Sequence, residues 1–225
     1  MNFLELVRAL QFESGAGNAP VGTVVGQVGE AKRLVDWIRQ ANYRIQTMYV
    51  DWKFLRSQLL PTFLTGIGEQ DYAPPDDLNW WNTKSFKIDG IIIPVDEFRP
   101  ELYLDDLPTD GRPSRATILD NNFLRVDPTP DDAYRIEAEY FIRPVDLDPD
   151  LVDANLQISL IPEQFHWLLV YEGLRYYANY ENSQDSKTQA MEGIQLWMPR
   201  LEAHQLRGSQ PGSIADGNEI VIRAV

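Results

Sequence analysis

Cysteine is absent from this 225-residue chain, and histidine occurs only twice, at His166 and His204. The first absence excludes a disulfide framework and thiolate chemistry, and the second leaves little for a histidine-based metal site. Basic residues are scarce as well: 20 Lys and Arg stand against 34 Asp and Glu, a formal net charge of −14. Nucleic-acid binders need clustered cations to displace counterions, so tight retention of DNA is disfavoured. No apolar run approaches the length that crosses a bilayer. The N-terminal stretch Phe3-Leu4-Glu5-Leu6-Val7-Arg8-Ala9-Leu10 is broken by charge and has no small-residue cleavage site, so it does not read as a signal peptide. The expectation is a soluble protein made in the cytoplasm, and 44% hydrophobic residues supply enough apolar content for a real core.

The charge is unevenly spread. Residues 65–155 carry twenty-one Asp and Glu against eight Lys and Arg, which is almost the whole imbalance. The flanks read as helices and the acidic middle as strands and Asp/Pro turns, so the predicted class is α+β: a helical bundle with an inserted antiparallel β-rich module. The expected division is a bundle of 1–58 with 156–207, an acidic insert at 59–155 and an extended C-terminal tail at 208–225.

Asn2 followed by Glu5 has the spacing of a capping box and predicts a first helix over 3–12, ending at Gly15. Residues 13–27 form a glycine-rich loop. The second helix is expected over 28–54, because Ala31, Leu34, Val35, Ile38, Ala41, Ile45, Met48, Tyr49 and Trp52 recur at three- and four-residue steps. A narrower stripe of Tyr43, Val50 and Phe54 falls on its far side, to be covered either by another part of the chain or by a second subunit. A third helix over 162–181, opened by Pro162 and Glu163, is apolar around its whole circumference and is the expected centre of the bundle. A fourth, 185–206, contains Pro199, where a kink is expected.

In the insert, Ile91-Ile92-Ile93-Pro94-Val95 reads as a buried strand, and Ala116–Leu119 with Phe123–Val126 as a hairpin. Alternation from Tyr134 to Ile142 reads as one half-buried strand. The terminal Ile220-Val221-Ile222-Arg223-Ala224-Val225 is β-prone and isolated, so it needs a partner edge.

Each chemical candidate has a plainer structural explanation. Asp146, Asp148 and Asp150 have the spacing of the first ligands of a calcium loop, but Leu151 stands at the glycine position and Gln157 at the bidentate glutamate position. The doublets Asp76-Asp77, Asp105-Asp106 and Asp131-Asp132 offer paired carboxylates for glycoside hydrolysis, yet all sit beside turn residues where Asp is favoured for local bonding. Glu172 on the apolar helix is either a buried acid of raised pKa or an ion-pair partner of Arg175, the second being preferred. Trp80-Trp81 serves as a stacking platform, a hydrophobic plug or a docking knob. No dinucleotide fingerprint, phosphate loop or nucleophile elbow occurs, and no cofactor, metal or catalytic residue is assigned.

Gly29-Glu30, Leu34-Val35-Asp36-Trp37-Ile38, Ala41, Ile45-Gln46 and Asp51-Trp52-Lys53-Phe54-Leu55 continue into Gly68-Glu69-Gln70-Asp71-Tyr72, Pro74-Pro75-Asp76-Asp77 and Ile161-Pro162. In order and spacing this series resembles the head-to-tail adaptor (connector) proteins of tailed bacteriophages. The resemblance implies a structural virion protein, made in the host bacterial cytoplasm and without enzymatic activity. It further implies a homo-oligomeric ring, commonly a dodecamer, with portal protein on one side, tail (nozzle or tail-tube) proteins on the other and DNA passing through the lumen without tight binding. Candidate interface residues are Ile220, Val221, Ile222 and Arg223 in the tail, Tyr43, Val50 and Phe54 on the second helix, and Trp80 and Trp81 in the insert. The competing readings are a tail or baseplate binding module and a carboxylate-dependent glycan-degrading enzyme.

Overall fold

Asn2 opens the first helix as its spacing predicts, accepting from the Glu5 amide while the Glu5 carboxylate accepts from the Asn2 amide. A computed structural model describes residues 1–17, 19–57, 62–95 and 110–206. The chain divides into two compact units, one of Met1–Phe54 with the chain from Pro144 onward, the other of Leu55–Arg143. The fold class is α+β, with every described strand lying between the second and third helices.

The helical unit consists of α1 (Phe3–Ser14), α2 (Gly29–Met48), α3 (His166–Glu181) and α4 (Gln184–Gln205). Gly15 closes α1 in the left-handed conformation that spares glycine the Cβ clash. α3 packs against the other three helices, which accounts for its apolar circumference. Two glycines allow this approach. A Cβ at Gly173 would stand 2.9 Å from Leu10 Cδ2 and 3.3 Å from Ile38 Cδ1, and one at Gly193 would fall on the Tyr171 ring. Leu10, Ile38, Leu168, Leu169 and Leu174 are fully buried, each gaining about 1.5–3 kcal/mol relative to exposure. Pro199 lies inside α4 without ending it.

α2 is shorter than its periodicity predicts. It stops at Met48, and Tyr49 is already extended. Trp52 fits the helical stripe by spacing, but it folds back, fully buried, and its indole Nε1 donates to the Ile45 carbonyl at 2.9 Å. That bond satisfies one of the carbonyls a helix end leaves free. Val50 and Phe54 are therefore not part of a helical stripe with Tyr43: Val50 lies in the turn, and Phe54 belongs to the short 3-10 turn Lys53–Leu55. Pro162 caps another 3-10 turn, Glu163–Phe165, ahead of α3.

The β unit holds β1 (Thr62–Leu64), β2 (Asp71–Tyr72), β3 (Leu78–Trp81), β4 (Lys87–Ile88), β5 (Ile91–Ile92), β6 (Arg115–Ile118), β7 (Leu124–Asp127), β8 (Arg135–Glu137) and β9 (Tyr140–Ile142). They form antiparallel sheets in the orders β1-β8-β4-β5, β2-β7-β6 and β3-β9. The hairpin around Asp120-Asn121-Asn122 forms as read, with Asn122 at positive φ. Two expectations fail. Ile91 and Ile92 are exposed, because the Asp89-Gly90 turn, positive in φ at both residues, makes β5 the outer strand of its sheet. The strand expected over 134–142 divides into β8 and β9, which lie in different sheets. The Ser85 hydroxyl accepts from the Glu139 amide at 2.8 Å at the point of division. The alternation survives, with Ile136, Ala138 and Tyr140 all buried against the core of Leu78, Phe86, Ile88, Leu124 and Val126.

Candidate interaction surfaces

The segment after Pro144 is held on the helical unit by side-chain amides whose partners the sequence does not indicate. Asn42 and Gln46, both on α2 and both buried, donate from Nδ2 and Nε2 to the Val145 carbonyl at 2.9 Å, and the Val145 amide returns a bond to Gln46 Oε1 at 3.0 Å. Gln157 does the same for Asp148, accepting from its amide at 2.8 Å and donating to its carbonyl at 2.6 Å. Gln11 likewise bridges the Ala19 carbonyl and the Val21 amide of the glycine-rich loop. These side chains act as one-residue strand partners for irregular backbone, meeting its hydrogen-bond requirement without a sheet. Further along, the Ser159 hydroxyl donates to Asn42 Oδ1 at 2.6 Å, and Asn155 Oδ1 accepts from Thr23 Oγ1 and the Val24 amide.

A groove of about 650 Å³ lies beside this segment, lined by Asp36, Arg39, Gln40, Tyr43, Arg44, Thr47, Asp146 and Tyr176. Arg39 pairs with Asp146, which raises the guanidinium pKa chiefly through their hydrogen bond. Lys32 pairs with Asp36. Glu172 is buried nearby and accepts from Arg175 Nε at 2.9 Å, with Arg175 Nη2 at 2.8 Å and Arg44 Nε at 3.7 Å. The preferred ion pair forms, and two guanidiniums share one carboxylate. Tyr43 is 54% exposed at the groove. Its neighbour Tyr176 lies under the Arg175 guanidinium, 4.8 Å from ring centre to Cζ.

The other candidates separate. Trp80 is 57% exposed, but Trp81 is 3% exposed, packed against Phe86 and Tyr140, with its Nε1 donating to the Asn122 carbonyl. Opposite faces are what a strand imposes on adjacent residues; Trp81 is core. Val50 is exposed, while Phe54 is half-buried and stacks on Trp52 at 5.3 Å. Ile220, Val221, Ile222 and Arg223 lie outside the described residues, as does Asp105-Asp106. Sequence reading overlooked a cluster of exposed aliphatics, Leu151, Val152, Leu156 and Ile158, with Val152 at 99%. The signal was present in the residue types, but the aspartates among them led the stretch to be taken as a solvated turn.

Several of the carboxylates weighed for chemistry have structural partners. Asp77 accepts from the Tyr140 hydroxyl and Asp131 from the Tyr134 hydroxyl, which pushes the Tyr134 pKa up to about 12. Asp148 Oδ1 accepts from the Asp150 amide. Asp71 accepts a two-pronged bond from Arg125 at 2.6 Å, and its pKa is lowered by that contact. His166 is buried and bonded at both ring nitrogens, whereas His204 is exposed. Among the described residues no group of acidic or histidine side chains is arranged to hold a metal, and no helix is long and apolar enough to cross a membrane.

A comparison with curated proteins finds no match. The family model for SU10 adaptor proteins matches residues 1–211, a span that takes in all four helices and the β unit. An adaptor family is structural rather than catalytic, and it accords with the likeness to phage head-to-tail adaptors in the residues of α2, the Pro74-Pro75 turn and the Ile161-Pro162 helix start. The chain belongs to the SU10 adaptor protein family.

Proposed function

We propose that this chain is the ring-forming head-to-tail adaptor of a tailed phage. Its copies assemble beneath the portal, join it to the tail, and surround the channel through which DNA passes. The observation that carries this reading is the family match over 1–211, which spans frame and insert together. The protein acts by shape and buried interface. Tyr43, Val50 and Trp80 are exposed and available to partners. The terminal residues Ile220–Arg223, β-prone in sequence, are assigned to the portal contact, where such a segment finds an edge. The acidic insert keeps passing DNA from adhering, since a negative wall repels phosphates.

The test is assembly. Light scattering after size-exclusion chromatography of the chain with and without portal protein is expected to show a closed multi-copy complex, on the portal if not free. Failure to bind portal in any state, together with absence of this chain from the head–tail junction of purified particles, overturns the reading.

A further inference from the structure

Leu156, Ile158 and Leu160 form a row of exposed aliphatic side chains along the segment that leads into α3. They alternate with Gln157, Ser159 and Ile161, which turn inward: Gln157 clamps Asp148, Ser159 donates to Asn42, and Ile161 is buried. Such alternation is the period of an extended chain with one face on a core. These anchors, with the Phe3 amide donating to the Gln157 carbonyl at 2.7 Å, hold the segment in place. The main-chain groups of Ile158 and Leu160 have no hydrogen-bond partner among the described residues. The result is an unpaired edge whose outward row carries neither charge nor proline, the usual guards against pairing. We infer that the terminal residues Ile220–Ala224, β-prone in sequence, add to the Leu156–Leu160 edge of their own copy and leave it when portal supplies another edge.

Three observations choose this occupant. The tail begins close to the edge: α4 ends at Gln205, and the His204 ring lies 5.5 Å from that of Phe165, in the turn that follows Ile161 and Pro162. The edge is also within reach. Fourteen residues lead from Leu206 to Ile220, and at about 3.3 Å each they extend on the order of 45 Å, more than the roughly 33 Å of α4 itself. Finally, the residue types match. Ile220, Val221 and Ile222 are β-branched and uncharged, suited to cross-strand packing on an aliphatic row. The side-chain charges of residues 207–225 balance, Arg207 and Arg223 against Asp216 and Glu219, so the acidic stretch beside the edge does not expel them. A two-stranded contact this short is marginal in water, but a tether raises the effective concentration of its own segment. A longer edge on the portal then wins the exchange. Until it does, the contact keeps the β-prone residues from pairing with other chains.

Amide hydrogen exchange on the full chain tests the contact. In the free chain the Ile158 and Leu160 amides are expected to exchange on the order of tenfold more slowly than in the tail variant Ile220→Asp/Ile222→Asp. Ile158→Lys, at an exposed position that leaves the core intact, is expected to remove the protection at Leu160. Equal exchange in the native chain and the tail variant overturns the inference. Protection that grows with protein concentration also overturns it, because the segment then comes from another copy. Adding portal protein is expected to release both amides, and portal bound with the protection intact overturns the exchange of edges. That release rests on the adaptor reading, whereas the free-chain measurement does not. Failure to bind portal therefore overturns the adaptor reading, and protection in the free chain still establishes the contact.

Discussion

Gln46 and Val145 exchange two hydrogen bonds, amide to carbonyl in both directions, across 99 residues of sequence. A helical side chain thus supplies what a neighbouring strand would have supplied, and it fixes where the chain re-enters the helical unit after the β unit. Gln46 is 1% exposed, so water does not replace what it offers.

Replacing Gln46 with Met, which keeps its length and removes both polar atoms, is therefore expected to destabilise the fold by about 1–3 kcal/mol, the cost of leaving buried main-chain groups without partners. The measurement is urea unfolding: the midpoint falls while the slope stays the same. Hydrogen exchange at the Val145 amide should accelerate. An unchanged midpoint would show that Asn42, which also donates to the Val145 carbonyl, holds the segment by itself.

Glu172 invites a second substitution. It is buried, with Arg175 bonded to it and Arg44 close by. Glu172→Ala strands two guanidiniums and is expected to cost about 2–3 kcal/mol, toward the lower end for a broken buried pair because both arginines reach solvent. The double variant Glu172→Met/Arg175→Met removes both charges and is expected to recover most of the loss. Equal destabilisation by the single and double variants, in thermal or urea unfolding, would mean that packing volume rather than charge is what the site requires.

How much of this was legible beforehand depended on whether the deciding contact was local. The Asn2–Glu5 box, the Gly15 stop and the Asp120–Asn122 hairpin are set within a few residues, and each forms as its sequence predicts. The run of α2 past Met48 was misread because hydrophobic spacing reports that Trp52 is buried, not that its indole turns back on Ile45. The split between β8 and β9 was hidden for a related reason: alternation records which face a residue takes, and says nothing of which strand lies beside it. The glutamine clamps were invisible. A polar residue on a helix gives no sign of a partner about a hundred positions away, and the exposed Leu151-Val152 knob was masked by its aspartates.

His166 makes a prediction about acid. Its pKa is lowered, first by burial and also by the Met1 amino group, against opposing contributions from the Ile161 carbonyl and Glu163. The neutral ring fits the contacts: Nδ1 accepts from the Met1 amino group at 2.9 Å, and Nε2–H donates to the Ile161 carbonyl at 2.8 Å. A depressed histidine pKa means that the unfolded chain binds the extra proton first. The stability associated with His166 is thus complete above the ordinary value of 6.5 and declines as pH falls below it toward the folded value. Unfolding midpoints at pH 7.5 and 5.5 are expected to differ in the native chain and to draw together in His166→Gln. The Asp71–Arg125 pair acts in a lower window, since its lowered pKa costs stability only once pH falls below the carboxylate's ordinary 3.8.

The acidic insert can be tested without disturbing its folding. Its arginines are largely committed: Arg125 to Asp71, Arg115 to Asp127, Arg112 to Asp89, Arg135 to Glu137 and Arg56 to Glu139. The surplus is carboxylate, and Asp76, Asp110 and Asp120 are exposed without an ion pair among the described residues. Changing all three to Lys leaves every one of those pairs in place and moves the local charge by six units. If the insert repels passing DNA, the lysines attract its phosphates. Release of DNA from purified particles then slows, and the slowing fades as salt rises, because the contact operates through screened charge and displaced counterions. Ejection that keeps its native rate at every salt concentration, in particles that assemble normally, would place the insert's charge on an outward face, where it serves solubility instead.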